Sequence, residues 1–114
     1  MTSALDSLNL HPMVKIEVVV NGTDVAGVRA IFEQVGVSGF TMLGNVAGLG
    51  HGGFHEGRLA FNDRDGLTLL LSVAPPDLAV ELVAGLRVLF AERPGVMFIT
   101  ETRVSRPDYF SNES

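Results

Sequence analysis

The residues best suited to chemistry lie in a glycine-rich stretch, Gly44–Gly57, which reads GNVAGLGHGGFHEG. It holds six glycines, two histidines and one glutamate. Glycine has no Cβ, so successive backbone N–H groups can converge on an anion. The stretch lacks the spacing of a dinucleotide fingerprint and the Lys-Ser/Thr of a P-loop. It therefore predicts either a flexible connection or an anion-binding loop.

The polar side chains of this stretch suggest a metal site as an alternative. His51 and His55 are four residues apart, next to Glu56. That spacing aligns two ligands only on a helix, and the surrounding glycines disfavour a helix. An exposed imidazole, or one beside a bound phosphate, is the favoured interpretation, and no metal is expected.

Arginine is the main cation of the chain, with seven arginines against one lysine. Arg93 precedes Pro94-Gly95, and Arg103 and Arg106 lie near the carboxyl end. Arginine forks bind phosphate oxygens in a bidentate manner, so these side chains could join the glycine stretch of a neighbouring copy in one anion site. The alternative is that they form surface salt bridges with nearby acids, Glu92, Glu101 or Asp108.

Composition excludes several classes of protein. The 114 residues suit one domain, and without cysteine there is no disulfide scaffold, thiolate zinc site or cysteine nucleophile. A net charge of −5 argues against a broad nucleic-acid-binding face. No apolar run is long enough to span a membrane, and residues 1–12 do not resemble a signal peptide. We therefore expect a cytoplasmic protein.

The hydrophobic pattern predicts four strands and two helices. The strands are Val14–Val20, Gly39–Ala47, Leu67–Val73 and Val96–Val104. Helical spacing follows the Asn21-Gly22 turn, where Thr23 or Asp24 can cap the helix, and ends at Gly36. A second helix runs from Pro75-Pro76-Asp77 to Arg93-Pro94-Gly95, with a stripe formed by Leu78, Leu82, Leu86 and Leu89.

This order predicts a ferredoxin-like α+β fold, βαββαβ, with a four-stranded antiparallel sheet and both helices on one face. The expected segments are a flexible start (1–12), the domain (13–106) and a tail (107–114). Two strands are apolar on both faces, through Leu69–Leu71 and Met97–Ile99. Since two helices cover only one face, we expect an oligomer to bury the other.

Several motifs resemble the PII signalling superfamily. Val35–Thr41 followed by Val46–Gly50 is similar to the strand that leads into the family's T-loop. Val73-Ala74-Pro75 matches the start of the second helix, and Arg103-Val104-Ser105-Arg106 matches the terminal Arg-Val-x-Arg. Gly50–Gly57 is closer to a PII-like branch, the carboxysome-associated PII proteins (CPII), than to nitrogen-regulatory PII.

The resemblance implies a homotrimer with a long T-loop between the second and third strands and an adenine nucleotide between adjacent subunits. The implied adenine-binding residues are Val19, Thr41 and Val73. The implied ribose- and phosphate-binding residues of the T-loop are Gly48, Leu49, Gly50 and His51. Those of the short B-loop are Arg93, Gly95 and Val96, and the implied phosphate clamp is Arg103 and Arg106.

Departures from the family pattern restrict which ligands are expected. Gly52 and Leu67 stand where the family's 2-oxoglutarate site needs Gln and Lys, so sensing of that dicarboxylate is not expected. The only tyrosine is Tyr109, so uridylylation in the T-loop is excluded. The B-loop lacks its lysine, which favours ADP or AMP over ATP. The CPII resemblance implies bicarbonate as second ligand, with candidate residues Gly50, His51, Gly52 and Gly53.

We therefore expect a non-enzymatic regulator that needs no cofactor, binds adenine nucleotide and bicarbonate, and senses energy and inorganic carbon status. It would act through the T-loop on a partner such as a bicarbonate transporter or the carbon-fixation machinery. The alternatives are a trimeric metal-binding protein using His51, His55 and Glu56, and a cyclic-AMP-binding regulator of bicarbonate transport. Slow nucleotide hydrolysis is a further alternative, although no positioned general base is evident.

Overall fold

The computed structural model describes residues 4–46, 48–50, 53–55 and 66–110. Its strands are β1 (His11–Asn21), β2 (Thr41–Val46), β3 (Gly48–Gly50), β4 (Gly53–His55), β5 (Leu67–Ala74) and β6 (Gly95–Val104). Its α-helices are α1 (Val25–Val35) and α2 (Pro76–Phe90). Short 3₁₀ turns occupy Ala4–Leu8, Gly22–Asp24 and Pro107–Phe110.

Four strands form the main sheet in the order β2-β5-β1-β6, and every neighbouring pair is antiparallel. This order confirms the ferredoxin-like fold predicted from the sequence. The long connection between β2 and β5 carries a separate antiparallel hairpin, β3–β4. The predicted T-loop therefore contains short strands of its own.

The core lies between one face of the sheet and the two helices. Ile16, Val18 and Val20 alternate along β1 and are fully buried against both helices. Phe32 of α1 and Leu82 of α2 lie in the same cluster, as the helical spacing predicts. Burial of side chains of this size typically stabilises a fold by about 1.5–3 kcal/mol each.

The two ends of α1 differ in how well the sequence predicts them. Gly36 ends the helix in the left-handed region (φ 89°), where glycine carries no Cβ penalty, and its N–H donates to the Phe32 carbonyl. Asp24 occupies the N-cap position, but its side chain makes no capping hydrogen bond. The predicted side-chain cap is therefore wrong, because Arg93 binds that carboxylate instead.

The terminal segments pack more closely on the sheet than the sequence indicates. β1 begins at His11 rather than Val14, since His11 pairs with Val104. The turn Pro107–Phe110 contacts the loop before β2, where the Ser38 hydroxyl donates to the Tyr109 carbonyl. The division into segments 1–12, 13–106 and 107–114 stays a prediction. Within the described ranges, no helix has the length and hydropathy needed to cross a membrane.

Candidate functional site

The sheet face opposite the helices, here called the open face, is largely apolar. Cross-strand pairing aligns Val96, Val19, Leu69 and Leu43 in one row. Leu43 is 55% exposed and Val96 is 51% exposed in the single chain. The next row adds Phe98, also 55% exposed. Strand alternation thus leaves a contiguous apolar surface without a cover from the described part of the same chain.

The open face becomes more polar toward the other end of the strands. Glu17 pairs with Phe98 and Leu71, and Lys15 pairs with Thr100 and Val73. The Lys15 ammonium lies 3.6 Å from the Glu17 carboxylate, and both side chains are about one-third exposed or less. This ion pair marks the boundary between an apolar part and a mixed part of the face.

Part of the predicted nucleotide site lies at what we call the loop end of the sheet, formed by Val19, Arg93, Gly95 and Val96. Val19 pairs directly with Val96, and Gly95 begins β6. The ladder between β2 and β5 shifts register beside Asn45, whose φ of 57° lies in the left-handed region that asparagine tolerates. This irregularity of the ladder lies near the end of β2, within the first residues of the glycine-rich stretch.

At the loop end, Arg93 makes an ion pair with a buried acid. Its Nε donates to Asp24 Oδ1 at 2.8 Å, and the Asp24 side chain is only 7% exposed. The other oxygen, Asp24 Oδ2, and the nearby Asn21 Oδ1 are buried without a hydrogen-bond partner within the part of the chain that the structure describes. Removing Arg93 would leave a buried carboxylate uncompensated, so this arginine stabilises the connection between α2 and β6.

Gly95 has a packing role beside its predicted ligand role. A Cβ on this residue would approach the Phe90 ring to 2.6 Å, which a real side chain does not tolerate. The glycine of the predicted B-loop therefore also lets the Phe90 ring pack at the end of α2, whether or not phosphate binds there.

The other predicted residues lie at what we call the tail end of the sheet, formed by Thr41, Val73, Arg103 and Arg106. Thr41 begins β2 and Val73 lies near the end of β5. Both line an open groove of about 280 Å³ together with Ser38, Gly39, Phe40, Leu71, Ser72, Tyr109 and Phe110. The tail end thus offers a concave surface beside two of the three predicted adenine contacts.

The two arginines of the tail end have different partners. Arg103 Nη1 donates to Asp6 Oδ1 at 2.7 Å. The Arg106 guanidinium lies over the Tyr109 ring, 4.3 Å from its centroid. The acids proposed from sequence as salt-bridge partners of the arginines are wrong, because Asp24 and Asp6 take that place.

Gly95 at the loop end and Arg103 at the tail end are too far apart for one ligand to reach both in a single chain. Gly95 pairs with Val20, whereas Arg103, eight residues further along β6, pairs with Pro12. At the usual rise of a strand, eight residues span roughly 27 Å. A diphosphate group cannot bridge that distance. The structure therefore separates Gly95 from Arg103, whereas the cross-strand rows of Thr41 and Val73 lie only two and four residues along the sheet from that of Val19.

The glycine-rich loop is described only in part. Gly48 pairs with His55, and Gly50 pairs with Gly53 to close the β3–β4 hairpin. His51, Gly52 and Glu56 lie outside the described residues, so the metal alternative and the bicarbonate residues stay predictions. Among the side chains that the structure does place, no group of three or more His, Cys, Asp or Glu could hold a metal ion.

Sequence reasoning missed three residues of these two ends: Asp24, Asn45 and Tyr109. Asn45 could have been suspected, because Asn after Gly is a common turn signal. The partnership of Asp24 with Arg93 joins residues 69 positions apart and leaves no local pattern. The contact of Tyr109 with Arg106 is short-range, but a three-residue spacing in a tail predicts no contact by itself.

Comparison with known proteins shows which family profile and which solved structures the chain resembles. The profile of the family described as nitrogen regulatory protein P-II matches residues 13–109. The structure of CPII from Thiomonas intermedia K12, bound to ADP, AMP and bicarbonate, is similar at a TM-score of 0.82 and 32% identity, covering 92% of this chain and 99% of that one. A second structure of CPII from that organism, bound to ADP and bicarbonate, gives a TM-score of 0.80 and 30% identity, covering 91% and 99%.

A PII-like signalling protein from Thermus thermophilus shares the fold, with a TM-score of 0.71 over 90% of this chain and 98% of that one, at 14% identity. No curated protein sequence matches the chain.

Proposed function

Because the chain belongs to the nitrogen regulatory protein P-II family, which it matches over residues 13–109, we propose that it is a non-enzymatic regulator that binds adenine nucleotide together with bicarbonate between its subunits. Its similarity to the CPII structures agrees with the branch that the sequence motifs indicate. ADP and AMP are the favoured nucleotides. The protein would sense energy and inorganic carbon status in the cytoplasm.

One observation carries the proposal: the predicted phosphate-binding residues Gly95 and Arg103 lie at opposite ends of β6. Arg103 lies eight strand residues from Gly95. Residues from both ends can surround one nucleotide only if the loop end of one copy meets the tail end of another. The binding site would then form between subunits, and a closed ring of three copies repeats it three times.

The open face supplies a reason for the copies to associate. Its apolar row, from Val96 through Val19 and Leu69 to Leu43, is at least partly exposed at every position in the single chain. Burial of such a surface is favourable by about 25 cal/mol per Å² of apolar area. We propose that three open faces pack against one another and so hold the two kinds of sheet end side by side.

In this arrangement Thr41 and Val73 contact the adenine from one subunit, and Val19 completes the pocket. Arg103 and Arg106 bind phosphate oxygens with their planar forks. Gly48–Gly50 and His51, with Gly95 and Val96, approach the ribose and phosphates from the other subunit. The CPII structures, one bound to ADP, AMP and bicarbonate and the other to ADP and bicarbonate, support this choice of ligands.

The second ligand is a bicarbonate ion at the tip of the glycine-rich loop. Gly50 and Gly53 form the closing pair of the β3–β4 hairpin, and His51 and Gly52 lie between them in sequence. A small anion suits backbone N–H groups that no Cβ obstructs. A dicarboxylate is not expected, because Leu67, at the position where the family's 2-oxoglutarate site needs Lys, is buried and apolar.

Both ligands act on the same loop, so each should favour binding of the other. We propose that the liganded loop docks onto, or leaves, a partner such as a bicarbonate transporter. Coupling energies between two such sites are typically about 1–3 kcal/mol, or roughly 5- to 150-fold in affinity.

The test is an isothermal titration of the purified chain with ADP, with and without bicarbonate, at equal pH and ionic strength. Chloride at matched concentration is the control anion. We expect bicarbonate, and not chloride, to tighten ADP binding at least about fivefold. Equal ADP affinity in all three buffers would refute coupled sensing, and the absence of ADP binding would refute the nucleotide site itself.

A further inference from the structure

The turn that follows β6 holds one arginine in a fixed place. The Tyr109 N–H donates to the Arg106 carbonyl at 3.1 Å, which closes the turn Pro107–Phe110. The Ser38 hydroxyl donates to the Tyr109 carbonyl at 2.8 Å and ties the turn to the loop before β2. The Tyr109 ring centroid lies 4.3 Å from the Arg106 guanidinium carbon.

Packing in the core does not account for this tyrosine, because its side chain is 58% exposed. Tyr109 lines the groove together with Thr41 and Val73, and so the guanidinium over its ring lies close to that groove. Tyr109 thus joins the turn, the groove and the arginine through three separate contacts.

The aromatic partner leaves Arg106 able to bind an anion. A ring that holds a guanidinium by cation–π attraction offers it no oxygen acceptor, so the five N–H donors remain available to a ligand. Within the part of the chain that the structure describes, no carboxylate pairs with the positive charge of Arg106. Arg103 differs, because its Nη1 already donates to the Asp6 carboxylate, which competes with any phosphate. Of the two arginines, Arg106 is the one prepared for an anion.

We propose that Tyr109 is a positioning residue that holds Arg106 for the phosphate groups of the nucleotide. This inference rests on the proposed function, because it assumes that a nucleotide binds at the tail end. Stacking restricts the long arginine side chain before the ligand arrives, so less conformational entropy is lost on binding.

The experiment measures the affinity of the full chain for ADP and for adenosine by calorimetric titration. Tyr109→Leu should weaken ADP binding about two- to fivefold, the range of an exposed cation–π contact, and leave adenosine unchanged because adenosine has no phosphate. Tyr109→Phe keeps the ring and should bind ADP as the wild type does. In an Arg106→Ala background, Tyr109→Leu should cause no further loss.

The matched control is Phe110→Leu, a neighbouring aromatic of the same turn, which should not distinguish ADP from adenosine. An equal loss for ADP and adenosine in Tyr109→Leu would overturn the inference, since the ring would then contact the base. An ADP affinity that is undiminished in Tyr109→Leu would also overturn the inference. So would a loss of ADP affinity in Tyr109→Phe, which keeps the ring. A wild-type chain that binds no ADP would refute the proposed function and this inference with it.

Discussion

The loop end and the tail end of the sheet use the same residue type for different purposes. At the loop end, Arg93 binds Asp24, whose side chain is 7% exposed. At the tail end, Arg103 binds the half-exposed Asp6, and Arg106 stacks on the exposed Tyr109 ring. An arginine paired with a buried carboxylate stabilises the fold, whereas Arg106, whose partner is an aromatic ring, keeps its donors for a ligand.

The glycines of the two ends also differ in how closely their surroundings pack against them. At Gly95, at the loop end, a Cβ would displace the Phe90 ring. Gly39, which lies beside the groove at the tail end, has open space where a Cβ would stand. Resemblance to a binding motif does not distinguish these cases, but the surroundings of each residue do.

The largest effect on ADP binding is expected from a substitution that prevents association of the copies, because the loop end of one copy then cannot meet the tail end of another. Phe98→Asp places a charge on the open face, and burial of an unpaired carboxylate between subunits costs several kcal/mol. We expect a folded monomer that no longer binds ADP, because no second copy completes the site. Native mass spectrometry and calorimetry measure the two results.

The matched control is Ile99→Asp, since Ile99 is 52% exposed and lies on the opposite face of β6. It should keep the assembly and bind ADP. A Phe98→Asp monomer that binds ADP with wild-type affinity would show that one chain holds the whole site.

Arg106→Ala should weaken ADP binding about 10- to 100-fold, because hydrogen bonds to charged groups contribute about 1.5–3 kcal/mol. The assembly and the free energy of unfolding should not change, since Arg106 is exposed. Titration, native mass and urea denaturation check the three expectations. Loss of the assembly would instead assign Arg106 a structural role.

Arg93→Ala should lower the free energy of unfolding by about 1–3 kcal/mol, because Asp24 is left buried without its partner. Urea denaturation at fixed protein concentration measures this loss. The control Arg87→Ala removes an exposed arginine from the last turn of α2 and should change stability by less than about 0.5 kcal/mol. A loss no larger than that of the control would show that the ion pair is not stabilising.

The smallest effect is expected from releasing Arg103. Asp6→Ala removes the carboxylate that competes with phosphate, and exposed pairs contribute about 0.2–1 kcal/mol. ADP affinity should therefore rise by up to about fivefold at low salt, and less at high salt. Asp108→Ala makes the same change in net charge at the tail and serves as control. An equal gain in both variants would mean that only the overall charge matters.

Local patterns predicted much of the fold. The period-two pattern of Val14–Val20 predicts one apolar face, and Ile16, Val18 and Val20 are buried on it, while Gly36 predicts the end of α1. These predictions succeed because periodicity of two or 3.6 residues and the left-handed preference of glycine act within a few residues. The start of β1 was predicted three residues late, since His11 and Pro12 join the sheet only by pairing with β6.

The sequence by itself determined the element order, the family and the residue types available to an anion. Only the tertiary structure decided where those residues lie. Register separates Gly95 from Arg103 along β6, and side-chain packing joins Arg93 to Asp24 and Arg103 to Asp6 across 69 and 97 positions. The physical reason is that strand pairing and ion pairing join groups distant in the chain, whereas hydrophobic periodicity reports only which face of an element is apolar.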